Sequence, residues 1–113
     1  MWDKLKQKLQ SFVSDDIGID KTAAYGHRDT APATPHIDAL AEQGLLFRNF
    51  YAMPTCSPTR SALLTGRLPT RTGLGRWIAA NTDTYDLPDA ELTIPEMLRH
   101  SDACYTTGIS GKW

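Results

Sequence analysis

The apolar positions of the chain follow a helical period in one stretch and form a short continuous run in the next. Across residues 34–44 the apolar side chains recur at helical spacing. Thr34 and Pro35 are typical of a helix start, and Gly44 is typical of a helix end, so this stretch is predicted to be a helix. Residues 45–51 are mainly apolar and aromatic and are bounded by turn-forming residues, which predicts a buried strand.

Two further helices are predicted downstream. Residues 58–65 are mostly helix-compatible, begin with a proline and are followed by Gly66, so a helix should start near residue 58 and stop at this glycine. Thr93 and Glu96 have the spacing of a capping box, which predicts a helix that runs through Arg99.

The remaining stretches are less uniform. The apolar residues of segment 2–13 recur at helical spacing and favour an amphipathic helix, while residues 9–14 can also be interpreted as a strand that ends at two aspartates. Residues 67–90 contain scattered prolines and glycines and are predicted to form a long functional loop with local turns. Residues 104–110 are a second candidate strand. Alternating strands and helices indicate an α/β fold whose sites lie at strand ends.

Composition excludes several classes of function. Twelve basic and thirteen acidic residues leave the 113-residue chain near neutrality, so we expect neither a nucleic-acid partner nor an anionic membrane surface. A hydrophobic content of 41% is typical of a globular chain, and no apolar run approaches the ~20 residues that span a bilayer. The first residues lack the apolar segment of a secretory signal peptide, and the compartment stays open.

Reactive chemistry is concentrated in segment 56–67. Cys56 is followed by Pro58 and Arg60, so the cysteine should lie at a helix N-terminus with the guanidinium one turn away on the same face. Free N–H groups at a helix N-terminus favour an anion. This arrangement predicts a nucleophile and a cation that converge on a bound oxyanion, whereas the plainer interpretation is a buried structural cysteine.

Asp15 and Asp16 form an adjacent carboxylate pair shortly before Gly18. Hard divalent cations such as Ca²⁺ and Mg²⁺ take several oxygen ligands, and paired carboxylates supply both charge and oxygens. Taken alone, the pair is weak evidence for a metal site, and a solvated turn before the glycine is the favoured interpretation.

Three motifs along the chain resemble those of the type I sulfatases, in the order in which that family has them. The pattern Cys-x-Pro-x-Arg at residues 56–60, followed by Thr-Gly-Arg at 65–67, is similar to the first signature of that family, and Asp-Asp-x-Gly at 15–18 is similar to its N-terminal metal motif. Residues 105–113 resemble the second signature, although Cys104 stands where the family has glycine and the chain ends before the histidine of that motif.

This resemblance implies a fold, a cofactor set and a site. The fold would be an alkaline-phosphatase-like α/β catalytic domain, with a mixed, largely parallel sheet flanked by helices, of which residues 15–113 form the N-terminal portion and residues 1–14 an atypical preceding segment. A maturation enzyme would oxidise Cys56 to formylglycine. Asp15, Asp16 and the converted Cys56 would hold Ca²⁺ or Mg²⁺, and Arg60 and Lys112 would act on a sulfate ester.

The resemblance leaves three functional interpretations. The first is a sulfuric ester hydrolase, and the second is a phosphonate or phosphate monoester hydrolase of the same superfamily, since both reactions use a tetrahedral oxyanion and the same formylglycine motif. Further metal ligands and catalytic groups of the family lie downstream of the residues matched here. The isolated 113-residue chain is therefore expected to be inactive, and the third interpretation is a non-catalytic remnant.

Overall fold

The computed structural model describes residues 8–27, 29–79, 86–101 and 105–112. Within these ranges the regular structure is helical: α1 spans Pro35–Gln43, α2 Cys56–Thr65, α3 Pro69–Thr72 and α4 Ile94–His100, and two short 3₁₀ turns precede them at Ile19–Lys21 and Ala23–Tyr25. The chain divides into two compact units, Met1–Phe50 and Tyr51–Trp113. None of the helices in the described part has the length and apolar character needed to cross a bilayer.

In the first unit, α1 has the bounds that the sequence predicts, between Thr34 and Gly44. Asp38 in its first turn accepts hydrogen bonds from the Ala24 N–H and from the Thr34 hydroxyl, both at 3.0 Å. The Asp38 carboxylate therefore joins the second 3₁₀ turn, Ala23–Tyr25, to the start of α1. The Tyr25 hydroxyl adds a second link by donating to the Phe47 carbonyl over 3.2 Å.

The second unit is organised around the contact between α2 and α3. Pro58, Ser61, Pro69 and Leu74 are all fully buried there. The Ser61 and Thr72 hydroxyl oxygens lie 3.2 Å apart inside this contact. The core that supports the start of α2 is therefore small and includes buried hydroxyl groups as well as apolar side chains.

The predicted capping box of α4 is confirmed. The amide and the hydroxyl of Thr93 both donate to the Glu96 carboxylate, over 2.9 and 2.7 Å. These bonds lower the pKa of Glu96 below its ordinary value of 4.5, the amide bond having the larger effect, because they stabilise the charged form.

The predicted strands do not form in the described part of the chain. Residues 45–51 and 105–110 have no strand conformation, and Cys104 lies outside the described residues. A strand exists only when a neighbouring segment completes its hydrogen-bond ladder, and neither stretch has such a partner here. Leu45 and Phe50 are about three-quarters exposed, at 77% and 75%, so the predicted burial is also absent.

Three other expectations need correction. Residues 8–14 form neither the predicted helix nor the alternative strand, and residues 1–7 lie outside the described part. Segment 67–90 is not only a loop, because α3 forms within it. Helix α2 begins at Cys56, two residues before the predicted start.

Candidate functional site

Cys56 is the first residue of α2, after the N-cap Thr55. Its free thiol is half-buried, and the sulfur lies 3.9 Å from the Ser57 hydroxyl oxygen. Pro58 is the third helical residue, a position whose N–H has no acceptor within the helix, so the proline breaks no bond. The predicted placement of the cysteine at a helix N-terminus is confirmed.

Two hydroxyl groups hold chain segments against this first turn. The Ser57 hydroxyl oxygen accepts a hydrogen bond from the Ile78 N–H over 3.1 Å. The Thr59 hydroxyl oxygen accepts one from the Met53 N–H, also over 3.1 Å. Sequence reasoning missed both residues because they occupy the variable positions of Cys-x-Pro-x-Arg. The available signal was the presence of hydroxyl side chains in a first helical turn, where they commonly bond to backbone.

Arg60 and Lys112 are brought together although 52 positions separate them. The Arg60 Nη1 donates to the Lys112 carbonyl oxygen over 2.6 Å. The contact uses the backbone of Lys112, while its side chain is exposed. The structure thus places the end of segment 105–112 beside α2. Direct contact between Arg60 and the Cys56 sulfur stays a prediction.

Asp15 and Asp16 lie in the first unit, where Asp15 is half-buried and Asp16 is exposed. Asp16 has a φ of +57°, in the left-handed region that non-glycine residues seldom adopt. The described residues contain no group of three or more His, Cys, Asp or Glu side chains able to hold a metal ion. Two carboxylates fit part of the shell of a hard cation, so their role as ligands stays a prediction.

Arg67, at the end of the Thr-Gly-Arg motif, pairs with Glu91. The Nη1 atom lies 2.8 Å from each carboxylate oxygen, and the Glu91 side chain is only 10% exposed. A cavity of about 460 Å³ lies beside this pair. Its apolar lining includes Leu64 of α2, Leu92 of the segment before α4, and Ile94 and Met97 of α4. The motif therefore has a structural function: it ties the end of α2 to the segment before α4.

The chain matches a known protein family and several curated proteins. The family model described as Sulfatase matches residues 12–113. Human N-acetylgalactosamine-6-sulfatase (Homo sapiens) is 43% identical over 109 residues, which cover 89% of this chain and 20% of that protein. Bovine arylsulfatase A (Bos taurus) is 43% identical over 101 residues, covering 88% and 19%. Rat steryl-sulfatase (Rattus norvegicus) is 40% identical over 107 residues, covering 89% and 18%.

The chain therefore spans about a fifth of the length of the curated relatives it matches. No solved structure matches it.

Proposed function

Because the chain belongs to the sulfatase family, we propose that it carries the nucleophile-bearing part of a sulfuric ester hydrolase. The observation that supports this most directly is the position of Cys56. It is the first residue of α2, half-buried, with Arg60 one turn later and Pro58 accommodated between them. A nucleophile in this place acts on an anion at a helix N-terminus, where backbone N–H groups favour negative charge.

The proposed chemistry requires a modified Cys56. A maturation enzyme that recognises Cys-x-Pro-x-Arg would oxidise the cysteine to formylglycine, and the hydrated aldehyde would supply the hydroxyl that attacks sulfur. Arg60 would neutralise charge on the sulfate oxygens, and Lys112 would do so as a point charge from its exposed side chain. Asp15 and Asp16 would be ligands to Ca²⁺ or Mg²⁺, whose charge polarises the ester.

The test is conversion of Cys56 when the chain is expressed together with a formylglycine-generating enzyme, so that the motif meets the enzyme before it folds. We expect the peptide that contains Cys56 to lose its thiol, gain an aldehyde and react with a hydrazide, as followed by mass spectrometry. Cys104 is a matched internal control, because it lies outside the motif and should remain a thiol. Arg60→Ala and Pro58→Ala should lower the conversion of Cys56, since each removes part of the recognised pattern.

An unmodified Cys56 under conditions that fully convert a known sulfatase would contradict the proposal. Equal conversion of Cys56 and Cys104 would also contradict it, because that result would mean that the motif is not recognised.

A further inference from the structure

The two variable positions of the Cys-x-Pro-x-Arg motif, Ser57 and Thr59, have defined partners outside the motif. Ser57 is buried, and its hydroxyl oxygen accepts the Ile78 N–H while lying 3.9 Å from the Cys56 sulfur. Since that oxygen already accepts one bond, its own proton can be directed to the sulfur. Ser57 thus connects the segment downstream of α3 to the side chain of Cys56.

Thr59 makes the equivalent connection on the upstream side. Its hydroxyl oxygen accepts the Met53 N–H over 3.1 Å. Its single proton can go to the Met53 carbonyl at 3.2 Å or to the Thr55 carbonyl at 2.9 Å. Thr55 is the N-cap of α2, so the Thr59 hydroxyl stabilises the turn that immediately precedes Cys56.

We propose that Ser57 and Thr59 are positioning residues: their hydroxyl groups fix the direction of the Cys56 side chain by holding residues 53 and 78 against the first turn of α2. The proposal deepens the proposed function, since the oriented group is its nucleophile. It concerns the folded thiol alone, however, and stands or falls without any conversion or sulfate hydrolysis.

The experiment compares two alkylating reagents on the 113-residue chain. Iodoacetate carries a carboxylate and iodoacetamide is neutral. The iodoacetate rate divided by the iodoacetamide rate therefore reports whether the sulfur faces the positive end of the helix dipole. Trypsin cuts after Arg60 and Arg99 and therefore places Cys56 and Cys104 in different peptides, which mass spectrometry quantifies separately. For Cys56 we expect the iodoacetate rate divided by the iodoacetamide rate to be about two- to fivefold higher in the folded chain than in the denatured chain. This is the change expected when a negative charge is placed at a helix N-terminus.

The variants differ in a single hydroxyl. Thr59→Val keeps the shape and volume of the side chain, and we expect it to bring the Cys56 ratio down to the denatured value, while Thr59→Ser keeps the wild-type ratio. Ser57→Ala should act as Thr59→Val does. Ser61→Ala is the matched control, because Ser61 is a buried hydroxyl of the same helix whose partner is Thr72, and it should leave the ratio unchanged.

Circular dichroism establishes that each variant retains its helices, and if Ser57→Ala does not fold, Thr59→Val decides alone. The proposal is overturned if the folded wild-type chain shows the denatured ratio. It is equally overturned if folded Thr59→Val keeps the wild-type ratio, or if Ser61→Ala loses it to the same extent as Thr59→Val.

Discussion

Glu96 is the residue whose charge is coupled most clearly to local structure. Its carboxylate accepts both the amide and the hydroxyl proton of Thr93, and its pKa is lowered as a result. A group with a lower pKa in the folded chain adds stability above its unfolded pKa. That stability is lost as the pH falls through the folded value. The start of α4 should therefore weaken in acid.

We predict that acid removes helix content in the wild-type chain as the pH falls through and below 4.5, the ordinary pKa of the Glu96 carboxyl, partly through this residue. In Glu96→Gln the part of the loss due to this carboxylate should disappear. The measurement is far-UV circular dichroism as a function of pH. Glu42→Gln is the control, because Glu42 is exposed and lies at the C-terminal end of α1, away from any N-cap. Identical pH profiles for wild type and Glu96→Gln would contradict the prediction.

At the scale of elements, α2 shows how far a helix can be predicted from sequence. Its end is well determined, because Gly66 has a φ of +66° and its N–H bonds to the Ala62 carbonyl over 2.9 Å. Its start is not, since proline is tolerated at any of the first helical positions, where N–H groups lack intrahelical acceptors. Pro58 therefore fits a start at residue 58 or at Cys56 equally well.

The left-handed conformation at Gly66 gives a prediction for this helix end. Gly66→Ala should lower the free energy of unfolding by roughly 1–2 kcal/mol, the cost of a side chain in the left-handed region. Gly75→Ala is the matched control. A Cβ would meet no heavy atom within 4 Å at either position, and of these two glycines Gly66 alone has a positive φ. Urea unfolding of both variants measures the difference. Equal destabilisation by the two substitutions would show that conformational strain is not the cause.

The strands and the contact of Ser57 with Ile78 could not be predicted because they depend on distant partners, and the contact of Thr59 with Met53 depends on how the chain turns before α2. Residues 45–51 have the composition of a strand, but composition does not supply the neighbouring backbone that a strand requires. Ser57 and Thr59 are ordinary first-turn hydroxyls in the sequence, and their significance appears only with Ile78 and Met53 in place. By contrast, α1 and α4 were predictable because their caps, Thr34 and Thr93, are local signals.

At the scale of the whole molecule, much apolar surface remains exposed. Among the described residues, large side chains such as Phe12, Phe47 and Tyr51 are more than half exposed. The Phe47 and Phe50 rings contact each other with centroids 6.4 Å apart, and both lie largely in solvent. Exposed apolar clusters of this kind are typical of surfaces that pack against further protein.

For the isolated 113-residue chain we predict weak Ca²⁺ binding and no measurable hydrolysis of an aryl sulfate. Asp15 and Asp16 supply only part of the six to eight oxygen ligands that calcium takes. Calorimetry should show binding weaker than about 10⁻⁴ M that Asp15→Ala abolishes, while Asp89→Ala, an exposed carboxylate outside the pair, leaves it unchanged. Hydrolysis is assayed on a preparation in which Cys56 carries the aldehyde.

Binding tighter than about 10⁻⁴ M would contradict the prediction and would mean that the chain completes the calcium shell by itself. Turnover of the ester by the aldehyde-bearing chain, free of any longer protein, would mean that the groups within these 113 residues suffice for the reaction.

The complete burial of Pro58 also has a consequence in time. On the proposed function, a maturation enzyme that must bind Cys56, Pro58 and Arg60 together would not reach the proline once it is packed against the rest of its unit. Folding and modification would then compete for residues 56–60, and the faster of the two would decide whether Cys56 is converted. The fraction of molecules that bear the aldehyde would record how long residues 56–60 stayed unfolded during synthesis. A substitution that speeds folding would then give a well-folded protein in which fewer molecules carry the aldehyde.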